Sequence, residues 1–242
     1  MNSLKNKKIL VIGASSGIGL QTAKRLSEQG ASLILSSRNE AKLSEALRQM
    51  EGSSHTIIPC DLTNEADIKN LVTQLPQLNG VVFSSGIASR CPAGFITSKE
   101  ISENFGPGFN GAVLLFSGLI RKKKLIQNNC SIVFVSSSST NYPFVGGAMY
   151  VAVKAAIEGY AKVLALELVS KGIRVNCVAP AFVSGPMFEQ VSKETSPEIV
   201  TQIKAKQPMG LGSPDDVASS ILFLLSDDSK WISGSRLTLG GG

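Results

Sequence analysis

A chain of 242 residues, 43% apolar and 17% charged, can bury a sizeable core and lacks the low-hydropathy, high-charge signature of disorder. Much of its net charge of +6 sits at Lys5, Lys7, Lys8 and the basic run 121–124; no aromatic residues interleave these runs, which argues against a nucleic-acid surface and reads as a solvated tail and helix end. One histidine and four scattered cysteines (Cys60, Cys91, Cys130, Cys177) leave zinc without ligands and point to free thiols in the cytoplasm, and no apolar stretch reaches the roughly 18 residues of a membrane span.

The N-terminal stretch imitates a signal peptide, but Gly13, Ser15, Ser16, Gly17 and Gly19 interrupt its apolar run and no A-x-A site follows. "KKILVIG" therefore reads as a first strand. "GIGLQTAKRLSEQG" is a helix closed by Gly30. "ASLILSS" is a strand, and "NEAKLSEALRQMEG" a helix with Asn39 as cap and Gly52 as stop. "HTIIPCD" and "LNGVVFSSG" are strands around the helical "NEADIKNLVTQL". "SKEISENF" starts a helix that Gly106, Pro107 and Gly108 interrupt and "NGAVLLFSGLIRKKKLI" resumes. Then come the strand "CSIVFVSSSS", the long helix "AMYVAVKAAIEGYAKVLALELVSKG", the strand "IRVNCVAP", the helix "SPDDVASSILFLLSD" and the strand "GSRLTLGGG". Alternating strands and helices, with continuous Val/Ile/Leu strands, predict a doubly wound parallel α/β sheet of the Rossmann kind, covered on both faces. No linker divides the chain, so a single domain over 1–242 is expected. Residues 184–208 break the rhythm after a strand end and fit a mobile substrate cover.

"GASSGIG" joins the first strand to the first helix. Gly13 permits a tight turn, and Gly17 and Gly19 let backbone approach a pyrophosphate at the helix N-terminus. Ser15, Ser16 and Ile18 complete that loop. After the second strand, where an acidic residue would favour NAD, stand Ser37 and Arg38. A guanidinium there favours the 2′-phosphate of NADP(H) over NAD(H). Asp61 and Leu62 are placed to flank an adenine, and Asp61 also fits a helix cap.

Tyr150 and Lys154 stand one helical turn apart, with Cβ atoms about 5–6 Å from each other. A positive charge about 4 Å from a phenol, at an effective dielectric of about 20, is worth at most about 4 kcal/mol before desolvation. That would carry the phenol from its ordinary pKa near 10 toward the range of general acid–base work. A bare Y-x-x-x-K is more often an idle surface pair, but Ser137 lies at a strand end thirteen residues earlier and Asn110 lies at the helix interruption, where a free backbone carbonyl can hold water.

With these residues the sequence resembles the short-chain dehydrogenase/reductase family. The matches are "GASSGIG", Asp61, Gly86, Asn110, "SIVFVSS", "YVAVK", "IRVNCVAP" and "PMGLGSPDDVASSILFLLSD", in the family's order over nearly the whole chain. The resemblance implies a tetrad. Ser137 would orient a carbonyl, Tyr150 would pass a proton, Lys154 would lower the Tyr150 pKa and hold the nicotinamide ribose, and Asn110 would fix a water that reprotonates the site. It also implies cofactor contacts at Ser84, Ser85, Gly86, Pro180 and Val183. Departures stand at Ile12 (usually Thr), at Phe83, Ser84 and Ser85 (usually Asn, Asn, Ala), at Ala181 (usually Gly) and at Gly185 (usually Thr). Within the family the pattern is most like the 3-oxoacyl-[acyl-carrier-protein] reductases of fatty acid biosynthesis. That implies an acidic carrier protein as partner, met by Lys171 and, in place of an arginine at Asn128, the run 121–124. It also implies a homotetramer. Arg90, Phe144, Val145, Phe182, Met187 and Phe188 are the expected substrate lining. The alternatives are a reductase of a sugar or polyketide carbonyl, and a dinucleotide-sensing protein without turnover.

Overall fold

In the computed structural model, residues 4–193, 196–205, 207 and 209–240 are described. Seven strands form one sheet in the order β3-β2-β1-β4-β5-β6-β7. They are β1 Lys8–Ile12, β2 Ser32–Ser36, β3 Thr56–Ile57, β4 Gly80–Phe83, β5 Cys130–Val135, β6 Ile173–Pro180 and β7 Arg236–Leu239. Every pairing is parallel. The helices are α1 Gly17–Glu28, α2 Glu40–Leu47, α3 Glu65–Gln74, α4 Ser98–Phe105, α5 Gly111–Arg121, α6 Ala148–Leu168, α7 Pro186–Lys193, α8 Pro197–Ala205 and α9 Pro214–Leu225.

Strand side chains alternate between two cores. Leu10, Ile12, Val81, Phe83, Ile132, Phe134 and Val175 meet α3, α5 and α6 through Leu71, Leu115, Phe116, Ile157 and Leu164. Ile9, Val11, Val82, Val133 and Val178 meet α1, α2 and α9 through Ala23, Leu26, Leu43, Ile221 and Leu224. Both faces are thus covered, which is why the strands are apolar without interruption.

The helix starts follow local chemistry. Asn39 accepts from the Lys42 amide at 2.9 Å, Asn64 from that of Ala66 at 2.9 Å, and Ser213 forms a reciprocal box with Asp216. Asn64, not Asp61, therefore caps α3. Two elements differ from expectation. β3 is only two residues long, although the amides of Ile58 and Cys60 still reach the carbonyls of Leu35 and Ser37 at 3.0 Å on either side of Pro59. Gly106–Asn110 does not break the helix; it forms a wide π turn that carries α4 into α5. Pro107 has no amide to give an ordinary helical bond, and the wider turn bridges that position.

Candidate active site

All strands point the same way, so their C-terminal ends lie along one edge, and the crevice opens where β1 parts neighbours β2 and β4. Gly13 has φ +81°, and a Cβ there would lie 3.0 Å from the Ser84 carbonyl group. A Cβ on Gly19 would run into the Gly13 carbonyl, so both positions need glycine. Ser16 makes no side-chain cap and no acidic residue stands in the first turn of α1. The first amides of that helix therefore have no anionic competitor, and Ser15, Gly17 and Ile18 are only partly buried around them.

At the β2 tip, the Ser37 Oγ is buried without a hydrogen-bond partner, and Arg38 is exposed. Burial raises the Asp61 carboxyl, but Thr63 donates to it from backbone and side chain at 2.9 and 2.7 Å, and Arg38 adds its charge. The net pKa is lowered. Leu62 turns into the core, leaving Asp61 as the group that faces outward. An uncapped helix end, an orphaned serine hydroxyl and a cation beside it fit a dinucleotide.

At the β5 and α6 side, the Ser137 side chain acts on Tyr150 so as to lower its pKa, while the Ser137 Oγ accepts from the Ser139 amide at 3.2 Å. Lys154 is buried, its Nζ 5.8 Å from the centroid of the Tyr150 ring and donating to the Val135 carbonyl at 2.9 Å. Gly86 leaves room for it: a Cβ there would be 3.1 Å from Nζ. Burial drives the Lys154 pKa down to about 8, against the raising pull of Cys177 and Glu158. The Tyr150 pKa does not fall as its neighbour's charge alone would predict. Burial raises it, and the Ser137 side chain only partly offsets that. In this state the phenol holds its proton.

The Asn110 side chain is not brought into this group. It is exposed, whereas Gly108, two residues back, is buried against α6, where a Cβ would lie 2.6 Å from Val153 Cγ1. Two residues along either an α or a π helix turn the side chain to nearly the opposite face. The π turn fixed which residue faces α6, and no periodicity in "GPGFN" could tell.

At the β6 exit, Pro180 ends the strand and Val183 bridges to Gly212 through its neighbours: Gly212 donates to Phe182 at 3.0 Å and Ser184 to Gly212 at 2.8 Å. The Val183 amide and carbonyl take no part in that pairing. Ala181 fits because its methyl fills the space a side chain on Gly240 would need. Ile12 and Phe83 are register partners on adjacent strands, and Phe83 stacks obliquely on Phe134 at 5.9 Å. An apolar contact thus fills this place, while the Ser84 amide still binds the Ile12 carbonyl at 3.0 Å. Ser85 is partly buried beside it. Of the expected lining, Phe144 packs on Tyr150 and Phe182 on Phe188, with ring centres 6.3 and 6.0 Å apart. Arg90 lies against Gly146, and Val145 and Met187 are exposed. The segment 184–208 holds α7 and α8, while its residues 194, 195, 206 and 208 lie outside the described residues.

The sequence reading missed one cluster behind Ser137. Glu158, a turn beyond Lys154 on α6, pairs with Arg236 at 2.8 Å. Its spacing of four from Lys154 was a visible signal; Arg236, on the last strand, had none.

A family model described as Enoyl-(Acyl carrier protein) reductase matches residues 13–242. The 3-oxoacyl-[acyl-carrier-protein] reductase of Rickettsia felis is 33% identical, with 100% of this chain and 98% of that protein aligned. The 2,5-dichloro-2,5-cyclohexadiene-1,4-diol dehydrogenase of Sphingobium indicum is 31% identical over 100% and 97%. The L-xylulose reductase of Caenorhabditis elegans is 33% identical over 98% and 95%. A solved short-chain dehydrogenase/reductase of Brucella melitensis, titled glucose/ribitol dehydrogenase, superposes with a TM-score of 0.89 at 26% identity, covering 99% and 97%. The chain belongs to the short-chain dehydrogenase/reductase family. It is an oxidoreductase of that family, whose cofactor is a nicotinamide dinucleotide.

Proposed function

We propose that this protein reduces a ketone to a secondary alcohol with NADPH, and that its substrate is a 3-oxoacyl thioester. The observation that carries the reading is the buried Lys154 Nζ 5.8 Å from the centre of the Tyr150 ring, with the Ser137 side chain acting on the same phenol. Ser137 orients the substrate oxygen. Tyr150, neutral at pH 7, gives that oxygen its proton. Lys154, still largely charged at pH 7, stabilises the phenolate left behind. Nicotinamide, when bound, supplies the hydride. Asn110, at the helix interruption, would hold the reprotonating water through its backbone carbonyl. Gly13, Ser15, Ser16, Gly17, Ile18 and Gly19 would hold the pyrophosphate, Asp61 the adenine, Ser84, Ser85 and Gly86 the nicotinamide ribose with Lys154, and Pro180 and Val183 the carboxamide. Arg38 and the unpartnered Ser37 hydroxyl support NADPH over NADH.

The apolar pairs Phe144–Tyr150 and Phe182–Phe188 support an acyl substrate. The similarity to a cyclic-diol dehydrogenase and a sugar reductase supports a second reading, another carbonyl compound handled by the same residues. An acidic carrier protein would meet the exposed Lys171 and the basic residues 121–123; Lys124 bends inward to the carbonyls of Leu75 and Thr73. Segment 184–208 would cover the substrate. The buried free cysteines support a reducing, cytoplasmic setting, and among the described residues no helix is long and apolar enough to cross a membrane. A panel of acetoacetyl thioester, cyclic ketones and ketoses, each with NADPH and NADH, tests the reading. NADPH-dependent turnover of the thioester supports it, and turnover confined to sugars or cyclic diols transfers it to the second reading.

A further inference from the structure

We propose that Glu158 and Arg236 are positioning residues of the active site, holding Ser137 and Lys154 from behind the substrate face. The inference rests on the reductase reading above.

The geometry is a clamp on three elements. Glu158 Oε1 accepts from Arg236 Nε at 2.8 Å, from Ser136 Oγ at 2.6 Å and from Thr140 Oγ1 at 3.1 Å. Arg236 Nη2 donates to the Ser137 carbonyl at 3.1 Å and to Thr140 Oγ1 at 2.9 Å, and Nη1 to Thr238 Oγ1 at 2.7 Å. The exit of β5, the active-site helix α6 and the strand β7 are thereby tied at one point. Ser137 is gripped through its own backbone oxygen and through its neighbour Ser136, leaving its hydroxyl on the Tyr150 side.

The side chains of Arg236 and Glu158 are only 16% and 13% exposed. A buried ion pair is a weak source of stability, because desolvation offsets its attraction, and an apolar pair of similar volume would serve as well. The pair also sets the field at the site. Tyr150 and Glu158 on α6 and Cys177 on β6 face Lys154, and Arg236 on β7 faces Glu158. Burial pushes the Cys177 thiol up to about 12, so it is uncharged at neutral pH. Glu158 is then the carboxylate left to oppose loss of that proton, and the Ser136 hydroxyl ties it to the Lys154 turn, reaching Glu158 Oε1 at 2.6 Å and the Lys154 carbonyl at 3.5 Å.

The test combines a pH titration of lysine-13C-labelled protein by NMR, without cofactor, with the pH profile of kcat for NADPH-dependent ketone reduction. The Lys154 signal is assigned by its loss in K154R. In E158Q the Lys154 titration is expected at a lower pH than in the wild type, since removing an opposing charge disfavours the ammonium. The basic limb of kcat should move down with it, with KM for NADPH little changed. R236K keeps a cation for Glu158 but removes the donor to the Ser137 carbonyl. It should lower kcat severalfold with the Lys154 titration in place. An E158Q protein of lower Tm with both the titration and the kcat limb at their wild-type positions would make the pair a structural strut and overturn the inference. Should E158Q fail to fold, E158D withdraws the charge by one methylene and is read the same way. If the wild-type protein reduces no ketone, the reductase reading fails, and the Lys154 titration alone decides whether Glu158 sets that charge.

Discussion

Lys154 is held between two opposing effects, burial that removes its proton and a carboxylate that retains it. With its pKa lowered to about 8, the ammonium is lost as pH rises through that value. Activity should therefore fall on the alkaline side near pH 8. The sign for stability is opposite. Between about 8 and the ordinary 10.5 the unfolded chain binds the proton and the folded chain does not, so this group's contribution to stability rises with pH. Loss of turnover above pH 8 with Tm unchanged or higher is the expected result of parallel kinetic and melting series. Arg38→Ala should raise KM for NADPH roughly 10- to 100-fold, the worth of one or two charge-assisted bonds, and leave KM for NADH nearly unchanged. Asn110→Ala should leave kcat within about twofold, because that side chain faces away from α6. Tyr150 and Lys154 were legible because a spacing of four on a helix dictates proximity. The direction of the tyrosine shift was not, because it depends on burial that the local pattern "AMYVAVK" does not encode.

At the scale of elements, the alternation of strand and helix was readable from apolar runs and their caps, as at Asn39 and Gly30. Asn64 was hidden behind the better-known Asp61, since either could have capped α3. The π turn was not readable, because Pro107 between two glycines announces a break and only packing against Val153 decides that the helix continues. Its close approach makes a specific demand. Gly108→Ala places a methyl against the stiff Val153 side chain and should destabilise the fold by about 1–3 kcal/mol, read as a lower denaturation midpoint with unchanged m. The Glu158–Arg236 pair joins residues 78 apart in sequence, a separation at which no local pattern operates.

For the whole molecule, α6 and the turn after it carry Val163, Leu166 and Val169 in exposed positions, with Leu166 76% accessible, and α5 adds Leu114. A homotetramer would cover this surface. Light scattering coupled to size exclusion should give four times the chain mass, and Leu166→Asp should shift it to a smaller species. The fold, the cofactor crevice and the reacting group nevertheless lie within one chain, and the account stands on whether that group transfers a proton. The most direct measurement is NADPH oxidation with an acetoacetyl thioester by the wild-type protein and by Tyr150→Phe, with coenzyme binding followed by fluorescence in both. Removing a general acid should cost about 10²–10⁴ in kcat while NADPH still binds. Equal turnover in the two proteins, or NADPH binding without turnover in the wild type, would contradict it.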